Sequence, residues 1–153
     1  MAVTNYFYLG QAYSLQEIAD AKEPLSFDNG FYLLRHYQDK KDILLKQWYK
    51  QQAIKYFRQR CTALAQQFEF TYQSCHLSNA KSYWGICRHD NVIRLNWVLI
   101  KGPPEVIDYV ILHELAHTKI KNHSQQFWQL VASCRPEYKS HKKQLREWTY
   151  GHA

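Results

Sequence analysis

Between Asp39 and about Phe68, apolar residues return mainly at three- and four-residue steps: Ile43, Leu44, Trp48, Ile54, Phe57, Cys61, Leu64 and Phe68. Neither Gly nor Pro interrupts them, so the pattern predicts one long helix, or two joined near Lys50, with a single buried face. Before it the chain is patterned differently. The short aromatic runs Asn5–Leu9 and Phe31–His36 read as strands, and Asp28-Asn29-Gly30 is a turn signal just ahead of the second.

After Phe68 the period changes again. Phe70–Leu77, Ser82–Arg88 and Val92–Ile100 read as strands, with turns at Asn79-Ala80 and His89-Asp90-Asn91, which predicts a meander of three antiparallel strands. Gly102-Pro103-Pro104 stops the last of them. Pro104 suits the first turn of a helix, where a missing N–H costs nothing, and Glu105 complements the positive end of the helix dipole. That helix is predicted from about Pro104 to Lys121, buried through Val106, Ile107, Val110, Ile111 and Leu115. A second follows from Ser124, a good N-cap, to Cys134, where Pro136 prevents continuation, and a last helical stretch spans Tyr138–Trp148.

With 153 residues and no repeat, low-complexity stretch or linker, residues 1–153 read as a single α+β domain with one core. Hydrophobic residues at 46% and charged residues at 22% indicate a folded globular chain and not a disordered one. No apolar run has the length of a membrane span and the N-terminus lacks a signal-peptide pattern, so no membrane association and a cytoplasmic location are expected. Cys61, Cys75, Cys87 and Cys134 form no CxxC pair and read as reduced, mostly buried thiols. The net charge of +7 would suit an anionic partner. Its densest groupings are Lys40-Lys41, Lys119 with Lys121, and Lys139, Lys142, Lys143 and Arg146, and none is a continuous run.

The chemistry concentrates in His113-Glu114-Leu115-Ala116-His117. On a helix, residues four apart share a face, so His113 and His117 can point at one ion, while Glu114, offset by one position, can reach a water beside that ion without being a ligand. Two imidazoles, an open position for water and a carboxylate to take its proton are what zinc hydrolysis requires. A site of this type needs a third protein ligand. His123 follows His117 by six residues, a rotation of about 600° on a continuing helix, which would put it on the wrong side. The helix must therefore break, and Asn122, which tolerates the left-handed conformation, is the residue expected to do so before Ser124 caps the next helix. This turn chemistry favours His123 over two other candidates, Glu137, twenty residues after His117, and His141.

The stretch from Lys81-Ser82-Tyr83-Trp84-Gly85-Ile86-Cys87 through Ile93-Arg94-Leu95-Asn96-Trp97, Pro103–Val110 and His113–His117 to Asn122-His123-Ser124-Gln125-Gln126-Phe127-Trp128 resembles the YgjP-like metallopeptidase family, a relative of the SprT-like and WLM zinc peptidases. The resemblance is strongest over residues 46–135. It implies a zincin-like α+β fold in which a small antiparallel sheet packs on the active-site helix. It also implies one zinc ion per chain on His113, His117 and His123, with Glu114 catalytic. The family pattern has Arg where Tyr83 stands and Ser where Ile86 stands, and both changes fall beside the cleft.

The function so indicated is a zinc-dependent hydrolase, foremost a peptidase acting on an intracellular peptide or protein. The alternatives are a nucleotide pyrophosphatase, a basic nucleic-acid-associated protein like the SprT relatives, and a non-catalytic zinc module. Glu114 argues against the last, because a structural site has no use for a carboxylate there. Tyr138, His141, Arg146 and Tyr150 are candidate donors to charge developing in the transition state. Trp84 and Gly85 are candidates for substrate contact. Gly85 marks either a close backbone approach within the fold or the place where an extended peptide pairs with the strand.

Overall fold

The computed structural model describes residues 4–152, with side chains described as far as Thr149. The N-terminal part holds two small sheets: a hairpin of β1 (Tyr6–Tyr8) and β2 (Gln11–Tyr13), and a mixed sheet in which β5 (Phe31–Leu34) lies between β3 (Leu15–Ile18) and β4 (Leu25–Phe27). Strands β2, β3 and β4 are three to four residues long, too short to show a period in sequence. A kinked 3-10 segment, Arg35–Lys40, replaces the end of the strand expected to reach His36.

Helix α1, Lys41–Phe68, is one unbroken helix. Leu45, Tyr49, Ala53, Phe57, Cys61 and Leu64 recur at steps of four or three and are buried. They form one stripe facing α2 (Pro104–Ala116) and the C-terminal sheet. Full burial of a Leu or Phe side chain contributes roughly 1.5–3 kcal/mol, so this stripe is a main source of the fold's stability. The Asp108 carboxylate on α2 accepts two hydrogen bonds from the Arg60 guanidinium on α1, at 2.9 and 2.8 Å. Arg135 approaches the same carboxylate at 3.7 Å.

The C-terminal sheet has the order β6 (Ser74–Ser78), β8 (Val92–Asn96), β7 (Gly85–Cys87). The expected antiparallel meander is corrected here. β8 pairs antiparallel with β7 through the turn at His89-Asp90-Asn91, but parallel with β6. The central place goes to the strand with the most apolar inward face, since Ile93 and Leu95 are both fully buried, and β7 is left at the edge. The strand expected to run to Ile100 ends at Asn96, whose side chain accepts from Val98 N–H and starts a 3-10 turn, Trp97–Lys101.

Helix α2 begins at Pro104 as expected and is buried on nearly all sides: Val106, Ile107, Tyr109 through Leu112 and Glu114 through Ala116 all lie inside. It touches α1, β7, α3 (Gln125–Cys134) and α4 (Tyr138–His152). Its helical path ends at Ala116, five residues before the predicted Lys121. Ser124 caps α3 as predicted, its hydroxyl accepting from Phe127 N–H at 3.3 Å. Trp84, just before β7, is fixed to α4: its indole N–H donates to Thr149 at 2.8 Å and its ring lies 5.0 Å from that of Trp148.

Candidate metal centre and its carboxylate

His113 and His117 stand one turn apart on α2. The tight turn that follows brings His123 back to them. The Nε2 atoms of His113 and His117 are 3.2 Å apart, those of His117 and His123 3.2 Å, and those of His123 and His113 3.3 Å. The reversal does not come from a left-handed Asn122, as the sequence suggested. The residues of positive φ lie elsewhere. Thr118 N–H and Ile120 N–H instead donate to Leu115 and Ala116, ending the helix in a tight turn, and the Asn122 side chain accepts from Ser124 N–H at 3.2 Å. Asn122 thus shapes the turn through its side chain.

The His117 Nδ1 lies 2.9 Å from the Ile120 carbonyl oxygen. A carbonyl can only accept, so the proton sits on Nδ1 and the Nε2 lone pair is left facing the other two imidazoles. Tetrahedral coordination at the usual zinc–nitrogen distance places ligand nitrogens about 3.3 Å apart. The observed triangle matches that spacing, and the chemistry of three lone-pair donors with one fixed tautomer fits a zinc-sized cation. Burial holds the pKa of His113 down to about 3, with the neighbouring imidazoles and Lys142 adding to the effect, and burial also lowers that of His117. Both rings therefore remain neutral, the state a ligand requires.

The rings are held by aromatic packing that sequence reasoning did not assign. Phe127 stacks on His117 at 4.2 Å, and Trp128 meets His113 edge-on at 5.5 Å. The available signal was position: both fall in the first turn of the helix that Ser124 caps, directly after His123.

Glu114 lies on the next face of α2 and is only 5% exposed. It fits under β7 because Gly85 stands above it. A Cβ at Gly85 would sit 3.0 Å from both Cγ and Oε2 of Glu114 and 3.1 Å from Cδ2 of Leu95. Gly85 therefore marks a close approach within the fold, while β7 has a strand partner on one side only among the described residues. Burial raises the Glu114 pKa to about 8.

The other candidates are dispersed. Glu137 has a side chain 60% exposed and faces His141 at 4.0 Å, and neither belongs to the histidine cluster. Tyr138 stacks on Trp128 at 5.4 Å, and Arg146 lines the same groove between α3 and α4. The Tyr150 side chain lies outside the described residues. All four cysteines are free thiols, Cys61 and Cys75 buried, Cys87 and Cys134 half-buried. No helix among the described residues is long and apolar enough to cross a membrane.

Two crystal structures share this fold. The metallopeptidase zymogen abylysin of Pyrococcus abyssi aligns with a TM-score of 0.54 at 20% identity, covering 58% of this chain and 90% of that one. The metallopeptidase zymogen jannalysin of Methanocaldococcus jannaschii aligns at 0.51 and 19% identity, covering 60% and 94%. The architecture is thus that of small α+β metallopeptidases. The chain belongs to the YgjP-like metallopeptidase domain family, whose sequence model matches residues 2–148. It is also 34% identical over 56 residues to the UTP pyrophosphatase of Escherichia coli (strain K12), a match spanning 37% of this chain and about a third, 34%, of that protein.

Proposed function

We propose that the protein is a zinc-dependent peptidase of the cytoplasm, with the ion held by His113, His117 and His123 and the proton handled by Glu114. The observation that carries this reading is the triangle of Nε2 atoms 3.2–3.3 Å apart on the helix that also bears a buried carboxylate. When bound, the cation supplies Lewis-acid activation of a water and of the attacked carbonyl, and its charge draws the Glu114 carboxyl toward ionisation. The Ile120 carbonyl orients the His117 ring. Glu114 takes the proton of the attacking water on its carboxylate and delivers it to the departing amine. Its buried position under Gly85 restricts the approach of other water and fixes where the proton goes. The free edge of β7 offers backbone groups to an extended peptide. Beside its start, a cavity of about 590 Å³ lined by Trp84, Trp97, Lys46 and Lys81 has room for a substrate side chain. The free thiols are in keeping with a reducing compartment.

A second reading, hydrolysis of a nucleotide phosphoanhydride, is favoured by the short stretch of identity to a UTP pyrophosphatase. The same residues would serve it, with phosphorus attacked in place of carbon.

The test is metal content with activity, for the native protein and Glu114→Gln, against a denatured protein pool and a nucleoside triphosphate panel. One equivalent of zinc in both proteins, with hydrolysis only by the native one, is expected on the protein pool. Turnover of triphosphates alone selects the second reading. Failure to take up zinc after chelation and resupply overturns both.

A further inference from the structure

Beside Trp128, α3 and α4 enclose an open groove of about 330 Å³ lined by Trp128, Tyr138, Lys139, Lys142, Lys143 and Arg146. Tyr138, Lys142 and Arg146 follow one another at four-residue steps, and Lys139 and Lys143 form the adjoining row, so two rows of a single helix carry four cations to one place. All four are exposed. Among the described residues no carboxylate lies within salt-bridge distance of any of them. Lys142 rests its ammonium over the Trp128 ring, 4.3 Å from the centroid. Like charges four residues apart weaken a helix, and Lys139–Lys143 and Lys142–Arg146 are both such pairs. Of the acidic residues nearby, Glu137 faces His141 and Glu105 accepts from Gln144 on the opposite side of α4, while Glu147, exposed one turn beyond Lys143 on the same row, is outside salt-bridge distance of the four cations.

This groove is one indole ring away from the histidines. The Trp128 ring that carries Lys142 on its face is 5.5 Å from the His113 ring and 6.0 Å from the His123 ring.

Resting on the peptidase reading above, we propose that the α3–α4 groove is a substrate subsite for acidic side chains a few residues from the scissile bond, with Lys139, Lys142, Lys143 and Arg146 as its cations. The form of the charge selects the ligand. Three of the four cations are lysines, compact point charges without the planar fork that grips one phosphate in two places. They are strung along α4 from Lys139 to Arg146, about 10 Å at the helical rise, which is the span of about three residues of extended chain. Separate carboxylates along a peptide match this better than a single clustered anion does.

The test uses two fluorogenic peptides that differ only in Glu against Gln on one side of the cleavage point, with the double variant Lys139→Glu/Lys143→Glu and the charge-matched control Lys40→Glu/Lys41→Glu. The native protein and the control are expected to prefer the acidic peptide, and the groove variant to lose that preference by about tenfold or more in the kcat/KM ratio. Raising salt from about 0.05 to about 0.5 M should erode the preference in the native protein. Equal preference in native protein and groove variant overturns the proposal. Binding is read independently from tryptophan fluorescence, with the acidic peptide and inorganic tripolyphosphate as separate probes. Loss of acidic-peptide binding in the groove variant without cleavage of any peptide by the native protein retains the subsite and removes the peptidase reading. Tripolyphosphate binding without acidic-peptide binding overturns the subsite as assigned.

Discussion

Replacing Gly85 by Ala places a methyl group against the carboxylate that the mechanism depends on. The added Cβ would stand 3.0 Å from Glu114 Cγ and Oε2 and 3.1 Å from Leu95 Cδ2. Carbon atoms are comfortable at about 3.5–4.0 Å, so something must give by about 0.5–1 Å. Leu95 is fully buried and is the cross-strand partner of Gly85, which leaves it little room to yield. The strain therefore falls on β7, an edge strand, and on the Glu114 side chain. A misplacement of about 1 Å in a catalytic group can cost about a hundredfold in rate, and overpacking costs about 1–3 kcal/mol in stability. Gly85→Ala is expected to keep its three histidines and one equivalent of zinc while kcat falls by about two orders of magnitude. The assay is metal analysis, thermal melting and turnover on whichever substrate the native protein hydrolyses. A folded, zinc-loaded Gly85→Ala protein within threefold or so of native kcat would refute the idea that this strand positions Glu114.

Two further outcomes bear on the same site. Zinc at about a hundred times its dissociation constant should stabilise the chelated protein by about 2.7 kcal/mol, a rise in Tm of about 5–10 °C. Absence of a shift in the native protein would overturn the zinc site, and an equal shift in His123→Ala would remove His123 from the ligand set. In the zinc-free protein, the Glu114 carboxyl is held near 8, above its unfolded value of 4.5, and burial holds His113 near 3, below its unfolded value of 6.5. From pH 6.5 to 8 the folded chain keeps a proton at Glu114 that the unfolded chain has released, so stability falls as pH rises, by about 2 kcal/mol across that interval. From pH 6.5 down to about 3 the unfolded chain protonates the His113 position while the folded chain does not; above 4.5 this offsets the Glu114 effect, and below 4.5 it acts alone, so stability falls again. Glu114→Gln should abolish the alkaline loss in pH-dependent melts, and its persistence in that variant would assign the loss to another group.

The histidine set was legible because its geometry is local. A four-residue step on a helix and a forced reversal before Ser124 leave His123 little choice of place. The reason for the reversal was misread at Asn122, since a side chain that bonds to the backbone and a backbone that turns left-handed are both served by Asn. In sequence Gly85 reads equally as a close approach within the fold and as a point where a peptide pairs; what approaches it is Glu114, 29 positions away, and no pattern in sequence names the far member of such a pair. The parallel pairing of β6 with β8 was hidden for the same reason. The period change predicts strands over Phe70–Leu77 and Val92–Ile100, observed as Ser74–Ser78 and Val92–Asn96, and their order in the sheet follows from which one the core needs at its centre. Trp128 was read only as part of a resemblance, because its contacts with His113 and Tyr138 exist only once α3 has packed against α2 and α4.

The contrast between local and distant contacts also separates two events in the life of the chain. The three imidazoles come from eleven consecutive residues, so the segment from His113 to His123 can gather an ion as soon as one helix and one turn exist. The pocket around Glu114 requires β7, whose pairing with β8 is a local hairpin but whose contact with α2 joins Gly85 to Glu114 and so waits on closure of a longer loop. On the proposed function, gathering of the three imidazoles and enclosure of Glu114 are therefore distinct steps in folding. On that same reading, a newly made chain would be loaded before it is able to cut.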